Sequence, residues 1–180
     1  RIKLGLGKTV EADSLTQLVI DSASARSDTV LLSQALNIRG LIEFTNGRYD
    51  AALVNQARSL ELGREAAHLR CEADAMRQIG VLLWYRGHLD SALMHFYHRA
   101  LELYRNSGNK LGEATTLSNI GLVHGTRGEW KTNLQHQLSA LDIRRRIGDH
   151  KGLVDSYYFL TSFVPRSDHG RSFAYSYLKK

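Results

Sequence analysis

Glycine recurs in this chain at an interval of about forty residues, and that interval restricts the fold more than any other feature. Gly40 and Gly80 lie 40 apart, and Gly121 follows 41 later. Seven positions after each comes a second glycine: Gly47, Gly87 and Gly128. Two residues beyond these stand Tyr49, Leu89 and Trp130, then Ala52-Leu53, Ala92-Leu93 and Asn133-Leu134. Gly7 and Ala12 carry the same frame back to the start of the chain. A period of this length marks a supersecondary unit that buries its apolar face against the next copy of itself.

The unit reads as two helices. Composition favours helix over strand, with 27 Leu and 16 Ala against 8 Val and 8 Ile, and a single Pro in 180 residues. Each period opens with an apolar ridge at helical spacing, such as Leu36, Gly40 and Phe44, or Met76, Ile79, Gly80, Leu83 and Trp84. A glycine turn follows, and a second helix is expected to start near Asp50, Asp90 or Thr132. Linkers such as Ser107-Gly108-Asn109 and Gly148-Asp149 end it, with Arg144, Arg145 and Arg146 in a last turn where positive charge suits the helix dipole. A mid-helix Gly costs about 1 kcal/mol of helix propensity relative to Ala. That cost makes sense if Gly40, Gly80 and Gly121 are notches that admit a large side chain of the partner helix. The 41-residue step has a local source. Ala52 to Ser59 and Asn133 to Ala140 span seven residues, whereas Ala92 to Ala100 spans eight. One residue is therefore inserted within Met94 to Arg99, and a π-bulge is expected there.

This pattern resembles the tetratricopeptide repeat in a 40-residue form. The resemblance is carried by Leu36, Arg39-Gly40 and Phe44 with Tyr49 and Ala52, by Met76, Ile79-Gly80 and Trp84 with Ala92 and Phe96, and by Leu117, Ile120-Gly121, Trp130 and Ala140. It implies an all-α, right-handed superhelical solenoid of antiparallel helix pairs. We expect a single solenoid over 1–180, with a partial repeat at 1–32, repeats at 33–72, 73–113 and 114–153, and an incomplete repeat at 154–180. In the last copy Leu160-Thr161 replaces the glycine pair, and Val164-Pro165 stops the helix. Because the chain opens on Arg1, we expect it to be part of a larger protein.

The resemblance also implies that first helices line a groove for a protein or peptide. On this chain those positions are Asn37, Leu41, Phe44 and Thr45, then Arg77, Gln78, Val81, Trp84 and Tyr85, then Ser118, Asn119 and Leu122. Amide side chains can grip an extended backbone, and Phe44, Trp84 and Tyr85 offer anchoring area. A known subclass holds a C-terminal carboxylate with Lys and Asn at the positions of Asn37 and Leu41, so that clamp is absent here. The 40-residue form is similar to sensory regions of bacterial signalling proteins that carry histidine kinase, diguanylate cyclase or transcription-regulator outputs. A repeat-containing phosphatase-type enzyme and a eukaryotic adaptor scaffold are the alternatives.

No chemistry of the segment's own is expected, and no cofactor. Gly7-Lys8-Thr9 ends like a phosphate-binding loop, but the motif requires Gly where Ile2 stands. His95, His98 and His124 lack the carboxylate or Cys that would complete a metal set. Cys71 is the single cysteine, which excludes an internal disulfide. A pI near 9.6 raises nucleic acid as a partner, yet Arg58, Arg64, Arg99, Arg105 and Lys131 fall on second helices or linkers, away from the expected groove. No apolar run approaches the roughly 20 residues of a membrane span. The sequence names no compartment, with cytoplasm preferred to periplasm. Seven of the 15 aromatics fall between 157 and 177. Of these Phe163, Phe173, Tyr175 and Tyr177 are candidates for homodimer contact through the terminal repeat.

Overall fold

A computed structural model describes residues 2–163, with side chains described for 11–159. Every element is helical: α1 (Ile2–Ala25), α2 (Thr29–Thr45), α3 (Tyr49–Glu65), α4 (Leu69–Tyr85), α5 (Leu89–Ser91), a π-helical segment (Ala92–Tyr97), α6 (His98–Asn106), α7 (Lys110–Thr126), α8 (Trp130–Ile147) and α9 (His150–Phe163). The chain forms two compact units, 1–107 and 108–180. In the first, α1 packs on α2, α2 on α3, α3 on α4, and α4 on the π segment and α6. In the second, α7 packs on α8 and α8 on α9. These are the antiparallel helix pairs that the forty-residue period requires. Phe163 closes α9, while Phe173, Tyr175, Tyr177 and the Val164-Pro165 stop lie outside the described residues.

Left-handed residues punctuate the chain at half the repeat: Ser27, Gly47, Ala67, Gly87, Gly108, Gly128 and Gly148, with φ between 49° and 80°. Successive members are 20 apart, except that 21 residues separate Gly87 from Gly108. The residue after each commonly donates its backbone N–H five residues back, as Arg48 does to the Glu43 carbonyl and Asp149 to the Arg144 carbonyl. That bond closes the helix C-terminus. Where the next element is a first helix, the same residue caps it. Asp28, His68, Asn109 and Asp149 accept from the backbone N–H of Leu31, Cys71, Gly112 and Gly152. Second helices start at Tyr49, Leu89 and Trp130, one or two residues ahead of expectation, and their caps Arg48, His88 and Glu129 make no side-chain bond. Asp50 and Asp90 sit in the first turn instead, where they meet the helix dipole.

Ala67 and Ser27 occupy a conformation that costs an L-residue roughly 1 kcal/mol. Ala67→Gly is therefore expected to stabilise the protein by about 0.5 kcal/mol, the relief being partly offset by the freer unfolded chain. Urea titration of the two proteins checks this; a lower midpoint for the variant would refute it.

Each notch glycine meets the side chain that fills it. A Cβ built on Gly40 would lie 2.3 Å from the Gln56 amide nitrogen, and one on Gly80 would lie 2.6 Å from the Tyr97 ring. One on Gly121 would lie 2.9 Å from Asn133 Oδ1 and 3.1 Å from Gln137 Nε2. The π segment overlaps the expected window and opens two residues ahead of it, at Ala92. Its extra residue lets Ala92, Tyr97 and Ala100 share one buried face, at 0%, 1% and 0% exposure. Leu60, Ala73, Met76, Ile79, Leu103 and Tyr104 build the core of the first unit. Leu134, Leu138 and Leu141, with Leu153 and Tyr157 against them, build that of the second.

Two local readings change. Helix α1 runs unbroken through Gly7, where the repeat frame had placed a turn. The five residues between Ile2 and Leu6 are too few to fold back as a packed helix, so the helical hydrogen bonds simply continue. Arg144, in a last helical turn where a dipole-facing cation is ordinarily solvated, is 5% exposed. Its guanidinium donates to Ser156 Oγ at 2.5 Å and lies 3.7 Å from Asp149, which ties α8 to α9. Burial draws its pKa below the ordinary arginine value.

Candidate functional site: the cleft between α2 and α4

Small residues set how closely the first helix pair approaches. Ser33 and Ser59 are both fully buried, and each hydroxyl donates to the other's backbone carbonyl at 2.8 Å. One turn on, the Asn37 amide donates to Gln56 Oε1 at 2.9 Å, and the Gln56 amide returns a bond to the Asn37 carbonyl at 3.0 Å. Above these contacts α2 and α4 border a cleft of about 420 Å³, lined by Ser33, Gln34, Asn37 and Ile38 of α2, Ser59 of α3, and Arg70, Cys71 and Asp74 of α4.

One wall of the cleft is charged and held from beneath. The Tyr104 hydroxyl, on a fully buried ring, donates to Asp74 Oδ1 at 2.5 Å. Arg77 Nε donates to the same hydroxyl at 3.4 Å, while Arg70 Nε lies 3.7 Å from Asp74 Oδ2. Burial raises the phenol pKa of Tyr104, so the ring stays neutral and keeps its proton for Asp74. Cys71 is 3% exposed, and burial pushes its thiol pKa up as well, which makes it a packing residue rather than a nucleophile.

The groove positions expected from sequence divide by burial. Asn37 borders the cleft, with one of its amide N–H groups bonded to Gln56. Leu41, Arg77, Val81, Phe44 and Trp84 are half-buried, and Gln78 is buried. Tyr85 is 57% exposed and closes an aromatic cluster. Its ring centroid is 4.9 Å from Phe44, 5.2 Å from Trp84 and 6.0 Å from Tyr49. An Arg86–Asp50 ion pair lies beside that cluster, and Arg48 holds the buried Glu43 carboxyl below its ordinary pKa through a direct hydrogen bond. Sequence reasoning missed Gln34, Ile38, Arg70 and Asp74. The signal was present, because Gln34, Asn37, Ile38 and Leu41 fall on one helical face.

In the second unit Ser118 is buried, and Asn119 and Leu122 are half-buried on α7. Gln137 Nε2 donates to the Ser118 carbonyl at 3.1 Å, as Gln56 does to Asn37. The return bond is missing: Ser118 is too short, and its hydroxyl and Gln137 Oε1 are both buried without a protein partner. Ser118→Asn should rebuild the reciprocal pair and stabilise by about 1 kcal/mol. Thermal unfolding followed by circular dichroism tests it, and an unchanged or lower midpoint counts against the pairing.

Among the described residues no group of three or more His, Cys, Asp or Glu could hold a metal ion. His124 instead bonds Glu129 at 2.5 Å and stacks on His136. Several basic residues of the second helices are ion-paired locally: Arg58 with Glu61, Arg64 with Glu72, Arg99 with Glu102 and Arg146 with Asp142. No described helix is long and apolar enough to cross a membrane.

Comparison with known proteins agrees with this architecture. The tetratricopeptide repeat pattern matches residues 31–98 and again 114–147. Regulatory protein AfsR of Streptomyces griseus is 32% identical over 113 residues, which is 63% of this chain and 11% of that protein. This chain therefore corresponds to a small part of that relative. The crystal structure of BtubC (BKLC) from P. vanneervenii superposes with a TM-score of 0.64 at 18% identity, covering 79% of this chain and 59% of that one. At that identity the likeness is one of fold.

Proposed function

Because this chain belongs to the tetratricopeptide repeat family, we propose that it is a non-catalytic protein-interaction module whose ligand is a peptide or protein segment seated in the α2/α4 cleft. The observation that carries the reading is the make-up of the cleft. Its floor is committed to internal hydrogen bonds, whereas its rim presents exposed Gln34, Ile38 at 51% and Arg70. Gln34 can both donate to and accept from a peptide backbone, Ile38 offers an apolar contact, and Arg70 a cation beside the Asp74 carboxylate. Tyr85 extends the same side toward the aromatic cluster. The local pairing of Arg58, Arg64 and Arg99 favours protein over nucleic acid as the partner. The AfsR likeness favours a bacterial regulatory protein as the parent.

The test compares capture by the wild-type protein and by a triple variant, Ile38→Glu, Arg70→Glu and Tyr85→Ala. All three side chains are exposed, so the variant is expected to fold, and circular dichroism checks this. Asn37→Ala is a poorer probe because it breaks the Gln56 pair. A partner retained by wild type should be lost by the variant. Equal retention by both would place binding elsewhere.

A further inference from the structure

Charge on the cleft side of the first unit is carried by one helix. Gln34, Asn37, Ile38 and Leu41 give α2 an uncharged face, whereas α4 presents Arg70, Asp74 and Arg77 at helical spacing. Two guanidinium groups therefore stand against one carboxylate. That carboxylate is already served, since Tyr104 donates to Asp74 Oδ1 and Arg70 Nε lies 3.7 Å from Oδ2. Half-buried Arg77 has no such partner. Its Nε makes a long hydrogen bond, 3.4 Å, to the Tyr104 hydroxyl, and among the described residues no Asp or Glu forms an ion pair with it. Arg39, the half-buried arginine of α2, lies 3.2 Å from Asp13 and 3.6 Å from Glu43. A guanidinium carries five donors, and an incoming anion recovers what its partial burial without a counter-charge costs. The Tyr104 hydroxyl bonds both Asp74 and Arg77, so Arg77 continues the cleft wall.

We infer that the segment seated in the α2/α4 cleft is anchored by an internal Asp or Glu side chain that pairs with Arg77, with an apolar residue two positions away resting on Val81. The inference rests on the cleft reading above and adds the chemistry of its ligand. Charge complementarity selects that occupant. A basic segment would meet Arg70 and Arg77 with Asp74 already engaged, and an uncharged one would leave Arg77 unmatched once water is displaced. The spacing follows from the helix. Val81 and Tyr85 succeed Arg77 at four-residue steps along α4, half-buried and 57% exposed. Each step rises about 6 Å, close to the roughly 6.7 Å between alternate side chains of an extended chain.

Random peptides displayed on phage, fused at their C-termini so that no free carboxylate is present, are the probe. Clones are selected on the wild-type protein and screened for loss of binding to Ile38→Ser with Tyr85→Ala, which alters the cleft without adding charge. Clones that depend on the cleft should carry Asp or Glu two positions from an apolar residue. Synthesised with an amidated C-terminus, they should bind Arg77→Gln about tenfold more weakly than wild type. Arg77→Lys, which keeps the charge, should retain most of the affinity, and selection on Arg77→Glu should return Lys or Arg at the acidic position. Circular dichroism establishes that each variant keeps its helicity. Cleft-dependent clones without an acidic residue, or with unchanged affinity for Arg77→Gln, overturn the anchor and leave the cleft reading in place. So does a peptide that binds only as the free acid. Clones that ignore the Ile38 and Tyr85 changes, or a library that yields none, overturn both.

Discussion

Replacing Gly80 with Ala is expected to destabilise the protein by about 2–3 kcal/mol, a large loss for the addition of one methyl group. On propensity alone the change should help, since Ala is favoured over Gly in a helix interior by about 1 kcal/mol. Packing reverses the sign. The added Cβ would stand 2.6 Å from Tyr97 Cε1 and 2.9 Å from Cδ1 and Cζ. Tyr97 is 1% exposed and cannot swing aside, so the helix pair must part or the ring must leave its rotamer. Gly40 provides the control. There the obstacle is the end of the Gln56 side chain, which can rotate away at the cost of its bonds with Asn37. Gly40→Ala should therefore cost less than Gly80→Ala. Chemical denaturation of the two variants against wild type decides it, and a neutral or stabilising Gly80→Ala would sink the notch argument.

The notches were readable in sequence because backbone geometry forces them. Only a residue without a Cβ lets the second helix approach so closely, and the requirement recurs with the repeat. Where the requirement is met by chemistry instead of size, the sequence is quieter. Ser33 and Ser59 achieve with reciprocal hydrogen bonds what Ala73 and Ala100 achieve by being small, so the two pairs look unrelated until they are superposed. Ala67 and Ser27 hide in the same way, since φ above zero is expected of Gly and neither residue advertises it. The candidate cleft was legible only in part. A repeat frame identifies which face a residue belongs to, but not which side chains on that face are already committed. Asn37 and Gln78 share the general surface of Ile38 and Arg70, yet the first is bonded to Gln56 and the second is buried. That division depends on the partner helix, which lies nineteen residues away for Asn37 and Gln56. Arg144 is the same lesson in the other unit. A run of three arginines reads as solvated, but a Gly at position 152 opens room for the first of them to turn inward beneath α9.

Deleting one residue from the second helix of a repeat should give opposite results in neighbouring repeats. In α3, removing Asn55 rotates everything after it by about 100° relative to what precedes it. Gln56, Ser59 and Leu60, which are buried against α2 and α4, would turn away from their contacts. Loss of several buried side chains at about 2–4 kcal/mol each exceeds the stability of an ordinary domain, so the first unit of this variant should lose its cooperative unfolding transition. Removing Met94 from the π segment should do the reverse. Met94 is 70% exposed and contributes no core contact. Without it Tyr97 would fall four residues after Ala92, the spacing that joins Ala52 to Gln56 and Asn133 to Gln137. The His98 N–H, which now reaches back to the Leu93 carbonyl, would find an ordinary α-helical ladder. Tyr97 would keep the Gly80 notch, and the repeat step would become 40. Tm for this deletion should lie within roughly 4 °C of wild type, a shift of about 1 kcal/mol, while the Asn55 deletion should lose the transition of the first unit. Two deletions that are equally harmful would mean that the extra residue has become part of the core it was inserted into, and that the wide turn is held in place by its neighbours rather than merely tolerated by them.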